Sequence, residues 1–259
     1  MGKVVYDPFL NKIRMEYGTI TRMSAIYDPV IGRERANYST MTGGGFTPIG
    51  IPGLNTWYRS DLGITMDTGV KIWADQSGGG HHLIQNTGSL QPSLLTNQLN
   101  GFSALSFDGV DDFMQTLLFT YGPPATIFAV FKVRNYVNAT SIYDGSVTFT
   151  GTLRMQPASP SVVTFAGTNL FDATDLPINS YTLSTVIFNG ASSVIQFGNA
   201  TQVTGDTGAN AIGGFTLGSR TDFVDNSQID VVEIIITNTA ATTTDRNNVK
   251  AYILSRYGI

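Results

Sequence analysis

The chain contains no cysteine. Disulfides and thiolate chemistry are therefore closed to it. A secreted eukaryotic β-domain often carries bridges, so their absence points toward a bacterial or viral source. Charge is also scarce, with Asp, Glu, Lys and Arg making up 13% of the 259 residues, about half the usual share. Histidine occurs only at His81 and His82, and tryptophan only at Trp57 and Trp73. No apolar run approaches the roughly 18 residues of a membrane span. The opening Met1-Gly2-Lys3-Val4-Val5-Tyr6-Asp7 lacks the apolar region of a signal peptide. These absences predict a protein made in a cytoplasm, with no membrane partner, that leaves by a route such as incorporation into a particle released by lysis.

What is present is apolar and aromatic. Hydrophobic residues reach 42% and aromatic ones 11%, enough for a sizeable core. The net charge of −4 is unevenly spread. Residues 1–45 hold six basic groups (Lys3, Lys12, Arg14, Arg22, Arg33, Arg35) against four acidic ones (Asp7, Glu16, Asp28, Glu34), a balance of +2 that leaves −6 for the remainder. A body of that sign repels phosphate, which excludes nucleic acid as a partner. The asymmetry gives the N-terminal part a partner of its own.

Residues 1–42 contain a tandem repeat of 21 residues. Tyr6-Asp7-Pro8 recurs as Tyr27-Asp28-Pro29, Phe9-Leu10 as Val30-Ile31, Arg14 as Arg35 and Tyr17 as Tyr38. Two copies are too few for a solenoid, which needs about three. Two tandem docking peptides are the sharper reading: each offers a turn, an apolar pair and then cationic and aromatic contacts, and pairing them gains avidity. Thr42-Gly43-Gly44-Gly45-Phe46-Thr47-Pro48 then reads as a linker. The expected organisation is an extended arm over 1–45 and one domain over 46–259.

That domain reads as all-β. Short alternating runs are separated by polar turns such as Asp67-Thr68-Gly69, Asp108-Gly109 and Asp144-Gly145. Strands are expected over 141–143, 146–149, 153–156, 162–165, 181–188, 193–197 and 215–217. Thr126–Val133 and Asp230–Thr237 are almost continuously apolar, as strands buried on both faces should be. At the end the period changes. Val249, Ile253 and Tyr257 recur every fourth residue, Tyr252 and Arg256 flank them, and Gly258 follows: a short amphipathic helix.

Three motifs between Trp57 and Phe113 carry a resemblance: Trp57-Tyr58-Arg59-Ser60-Asp61, Trp73-Ala74-Asp75-Gln76-Ser77-Gly78, and Phe107-Asp108-Gly109-Val110-Asp111-Asp112. With Leu217-Gly218-Ser219-Arg220 and the closing strand and helix, they resemble concanavalin A-like lectin/glucanase domains of the laminin-G-like jelly-roll type. The likeness covers about 54–259. It implies a concanavalin A-like jelly-roll β-sandwich with an N-terminal arm and a short C-terminal helix, and no single activity. The opening Tyr6–Arg14 segment resembles the starts of tailed-bacteriophage structural proteins.

Glycosidases of this family type pair carboxylates on one strand, as glycoside hydrolysis requires. Glu233 is the one glutamate after residue 45, and it has no acidic partner two residues on. His81 and His82 are adjacent and, on a strand, would face opposite ways, so no metal site is expected of them. Asp108, Asp111 and Asp112 could ligate Ca²⁺, which prefers oxygen, although Asp-Gly turn chemistry explains them without a metal. No other cofactor is implied. Trp57 and Trp73 lie in apolar strands and belong to the core. Glycan contacts would come from Tyr121, Tyr136, Tyr143, Asn169 and Phe223.

The resulting expectation is a non-enzymatic bacteriophage virion protein, a capsid decoration, head fibre or tail spike subunit. It would be oligomeric, and its arm would dock on capsid or tail proteins through Tyr6, Asp7, Pro8, Phe9, Leu10, Arg14, Tyr17, Tyr27, Asp28, Pro29, Val30, Ile31, Arg35 and Tyr38. A module binding host glycans is the alternative, and a glycan hydrolase the third reading.

Overall fold

The computed structural model describes residues 3–7, 12–16, 24–28, 33–37, 46–136, 139–156 and 159–259. From residue 54 onward it is an all-β sandwich of two antiparallel sheets, closed by one C-terminal helix. The eight-stranded sheet has Ala125–Val133 and Gln228–Thr237 at its centre. The ten-residue strand Gln228–Thr237 pairs with Ala125–Val133 along one edge; along the other it pairs first with Phe102–Asp108 and then with Leu54–Arg59. The nine-stranded sheet opposite runs from Asn169–Asp172 to Ile64–Met66.

The two long apolar runs are explained by what covers them. Ile127, Ala129, Phe131 and Val133 point into the space between the sheets, against Trp73, Leu83, Tyr143 and Leu217. The alternate residues Phe128 and Val130 face a second core beneath the helix, with Trp57, Val232 and Ile235. A strand covered on both faces has no reason to alternate in polarity.

The helix Thr243–Tyr257 forms as its pattern predicts, with Val249, Ile253 and Tyr257 buried. Thr242 and Asp245 close a reciprocal capping box at its start, and Gly258 adopts the left-handed conformation at its end. Such a cap contributes about 1 kcal/mol, and packing of the buried stripe contributes the rest.

One expected strand is absent. Residues 146–149 form a turn, because the Asp144 carboxylate accepts the backbone N–H of Gly145 at 2.9 Å and of Phe149 at 3.1 Å. This draws the segment into a loop with Val147 exposed and Phe149 at φ 61°. Near the N-terminus, Lys3–Asp7 pairs with Lys12–Glu16, and Ser24–Asp28 with Arg33–Asn37. The partner pairs Lys3↔Glu16 and Ser24↔Asn37 are offset by the repeat's own interval. Among the docking candidates, Tyr6, Asp7, Arg14, Tyr27, Asp28 and Arg35 lie on these strands. Pro8, Phe9, Leu10, Tyr17, Pro29, Val30, Ile31 and Tyr38 lie outside the described residues.

The motif around Trp73 is architectural. Asp75 is buried, and its carboxylate accepts the N–H groups of Trp57 (2.9 Å), Ser77 (2.8 Å) and His81 (3.2 Å). One carboxylate thus ties a strand to the glycine-rich loop that follows. Both tryptophans are buried, as their strands predict.

Candidate functional site

Glu233 sits outside any accessible site. It is 1% exposed, at the interface between the eight-stranded sheet and the helix. Its carboxylate accepts Trp57 Nε1–H at 2.7 Å, Tyr252 O–H at 2.9 Å and the Tyr257 hydroxyl, and Arg256 lies 3.6 Å away. Burial pushes its pKa up, and the Tyr257, Trp57 and Tyr252 hydrogen bonds and the Arg256 charge pull against that. A carboxylate sealed in this way fastens helix to sheet and has no route to a substrate.

A second group of carboxylates gathers at one end of the sandwich. Phe102–Asp108 ends there, and the chain crosses to the opposite sheet at Met114–Gln115. Gly109 takes φ 79°, and a Cβ at that position would come within 2.9 Å of Gln228. The turn is therefore tight and pressed against the neighbouring strand. Asp108 accepts the N–H of Val110 at 2.8 Å, and Asp112 accepts the N–H of Asp108 at 2.9 Å. One carboxylate oxygen each from Asp108, Asp111 and Asp112 lies within 4.8 Å of the others. Asp108 and Asp111 are exposed, while Asp112 is 7% exposed. Burial pushes the Asp112 carboxyl up to about 6; the charges of Asp108 and Asp111 add to this, and the Asp108 N–H and Arg134 oppose it.

Arg134 ties this turn to a buried ion group. It donates to the Phe107 carbonyl, and its Nε lies 3.1 Å from Asp230. Lys132 reaches the other oxygen of Asp230 at 2.7 Å. Asp230 is 1% exposed, and sequence reading took it only as a strand residue. The signal was present in Lys132 and Arg134, two apart at the end of an apolar run.

An aromatic platform stands beside the turn. Phe113 and Phe223 stack with ring centres 4.1 Å apart. Phe223 is 46% exposed and has φ 63°, a strained conformation for a bulky residue. Arg220 holds its loop in shape, gripping Asp222 through Nε and Nη2 (2.6 and 2.8 Å) and Asp225 through Nη1 (2.9 Å). Asn226 donates to the Val110 carbonyl at 2.7 Å, joining this loop to the aspartate turn.

The five residues named for glycan contact are not brought together. Tyr121 and Tyr143 are buried in the inter-sheet core. Tyr136 packs against that core and donates to the Gln156 carbonyl. Asn169 is exposed at the start of Asn169–Asp172 in the nine-stranded sheet. Phe223 alone reaches the aspartates, through its stack on Phe113. The aspartate turn suits Ca²⁺ poorly: three side-chain oxygens fall short of the six to eight ligands the ion takes. Asp108 and Asp112 already accept amides of the turn itself. His81 stacks on Phe119 at 3.9 Å and His82 accepts from the Asp75 N–H at 3.1 Å. Among the described residues, neither histidine joins a metal-binding group.

No family model matches the chain, and no curated protein does. Solved structures share the fold. Trypanosoma rangeli sialidase in complex with the inhibitor DANA superposes with a TM-score of 0.55 at 11% identity, covering 78% of this chain and 33% of that one. A mutant GH54 α-L-arabinofuranosidase soaked with 4-nitrophenyl α-L-arabinofuranoside gives 0.56 at 16% identity, covering 73% and 51%. The arabinofuranosidase complexed with arabinofuranosyl-α-1,2-xylobiose gives 0.55, again at 16% identity with 73% and 51% covered. The chain thus spans a third to a half of these enzymes' lengths. At such identity the likeness establishes the β-sandwich alone. The expectation of a non-enzymatic bacteriophage virion protein, whether capsid decoration, head fibre or tail spike, is corrected on this finding: the sialidase and the arabinofuranosidase that share the fold are glycoside hydrolases.

Proposed function

We propose that this chain is the β-sandwich of a glycan-cleaving enzyme, of the concanavalin A-like jelly-roll type that its Trp57–Phe113 motifs resemble. The reaction class is glycoside hydrolysis. The observation that carries this reading is the convergence of Asp108, Asp111 and Asp112 within 4.8 Å beside an exposed aromatic platform. The hydrolases that share the fold support it.

Hydrolysis needs one carboxyl that holds a proton and one carboxylate that meets the anomeric carbon. Asp112 supplies the first, because burial and its neighbours keep the proton on it into the mildly acidic range. Asp111 supplies the second: it is exposed, and its carboxylate accepts no hydrogen bond among the described residues. Asp108 is held by the Val110 amide and acts as the fixed charge between them. Oxygens of Asp111 and Asp112 lie within 4.8 Å of each other, closer than the ~5–5.5 Å between the carboxyl groups of retaining enzymes. Asp112 gives its proton to the glycosidic oxygen as the C–O bond breaks, and Asp111 bonds the anomeric carbon until water releases the sugar. Phe113 and Phe223 offer a face for the ring's C–H groups.

The test is turnover of a panel of aryl glycosides and neutral polysaccharides by the full chain. Hydrolysis should fall by about 10²- to 10⁴-fold in Asp112→Asn. A chain that cleaves nothing, or an Asp112→Asn variant as active as its parent, removes the reading. Binding without cleavage would leave recognition at the platform and remove the chemistry.

A further inference from the structure

A separate groove runs between the helix and the strand Tyr181–Phe188 of the eight-stranded sheet. It encloses about 260 Å³ and is lined by Tyr181, Leu183, Asn199, Lys250, Leu254 and Ile259, among others. That volume is just below the ~300 Å³ at which pockets for drug-sized molecules begin, so it holds about one ring. One side is apolar, with Leu183, Leu254 and Ile259; Leu254 is 60% exposed there without a covering residue. The other side is polar. The Tyr181 hydroxyl is buried with no hydrogen-bond partner, and Asn199 is exposed.

The charge of this groove is unusual for the molecule. The body is acidic overall, yet Lys250 and its neighbour one turn earlier, Arg246, form no ion pair among the described residues. Amides hold them instead: Lys250 donates to Gln196 Oε1 at 3.0 Å, and Arg246 to Gln202 Oε1 at 2.7 Å. Arg134, Arg154, Arg220 and Arg256, by contrast, all find carboxylates. Lys250, positioned by a neutral partner beside an apolar wall with Arg246 one turn away, suits one occupant: a compact molecule with an apolar face and a carboxylate.

We infer that this groove binds one acidic sugar unit, a pyranose bearing a carboxylate, as a second glycan site distinct from the aspartate turn. The choice of a sugar rests on the glycan reading above; the carboxylate rests on Lys250. The carboxylate meets Lys250, the ring's C–H face lies on Leu254 and Ile259, and the ring hydroxyls meet Asn199. Burial and the nearby Arg246 hold the Lys250 ammonium below its ordinary range, and a bound carboxylate would raise it again.

The experiment titrates the full chain with sodium D-glucuronate, D-glucose and cyclohexanecarboxylate, followed by calorimetry and ligand-observed NMR. Glucuronate should bind more tightly than either of the others and should weaken as salt is raised. Lys250→Gln should weaken it by about tenfold, the value of one exposed-to-half-buried charge-assisted contact. Leu254→Trp, at an exposed position that the fold tolerates, should fill the groove and abolish binding. Equal binding of glucose, binding of cyclohexanecarboxylate without glucuronate, an unaffected Lys250→Gln variant, or no binding at all each overturns the proposal. Aryl-glycoside turnover in Lys250→Gln should match the parent. A chain that binds glucuronate but cleaves nothing therefore retains this site and loses only the hydrolytic reading.

Discussion

Glu233 and the Asp108–Asp112 turn show what surroundings do to the same functional group. Glu233 has three uncharged donors and an arginine within reach and no solvent. Every lone pair it needs filled is filled, so its free energy is bound up in holding helix to sheet. The three aspartates have mainly each other and the amides of their own turn. Burial and the neighbouring charges raise the Asp112 carboxyl, which is the condition for acid catalysis. The catalytically suggestive residue type in the sequence was the glutamate. In the fold, the aspartates are the group that substrate can approach.

This contrast can be broken at several points, the largest effect first. Glu233→Ala should cost about 3–5 kcal/mol of stability, because Trp57, Tyr252 and Tyr257 lose a common acceptor in a dry interface. Urea denaturation measures it, and a cost below about 1 kcal/mol would mean the carboxylate is not the fastening point. Trp57→Phe removes one of the three donors and keeps the aromatic bulk, so the loss should be about 1–2 kcal/mol.

The aspartate turn should behave in the opposite sense. The Asp112 carboxyl is raised from 3.8 to about 6 by folding. The folded chain therefore holds more protons than the unfolded chain between those values, and stability falls as pH rises through that window. Asp112→Asn should flatten this slope, gaining about 1 kcal/mol at neutral pH after allowance for solvent screening. A variant as pH-sensitive as its parent would place the titration elsewhere. Phe223→Ala should change stability least, by less than about 0.5 kcal/mol, while weakening glycan binding at the platform. If instead it unfolds the loop, the ring serves packing.

Much of the fold could be read from residue patterns. The helix was legible because its stripe, cap and terminal glycine all agree. The central strands were legible because only a doubly covered strand is apolar throughout. The error at 146–149 has a local cause: Ser146-Val147-Thr148-Phe149 has strand-like composition, but the Asp144 side chain offers its amides a better acceptor than a neighbouring strand. The site was harder to read. Phe113 and Phe223 are 110 residues apart in the chain and meet only because Met114–Gln115 pairs with Thr216–Leu217. Tyr121 and Tyr143 had the right chemistry for sugar contact, but burial removes them from any ligand. Composition cannot distinguish an aromatic at a strand end from one in a core.

The placement of Gln228–Thr237 has a consequence for how the molecule is made. This strand supplies partners to Ala125–Val133, Phe102–Asp108 and Leu54–Arg59, yet it follows all three in the chain. The hydrogen bond from Trp57 to Glu233 spans 176 residues. Until the ribosome releases that strand, the edges of Ala125–Val133 and Leu54–Arg59 that it will pair remain bare, presenting unpaired N–H and C=O groups beside apolar side chains to any other chain nearby. Completion of this sandwich thus waits on Gln228–Thr237 and is slow, as long-range pairing requires. A nascent chain stalled before residue 228 should aggregate, whereas one extended past 237 should become soluble.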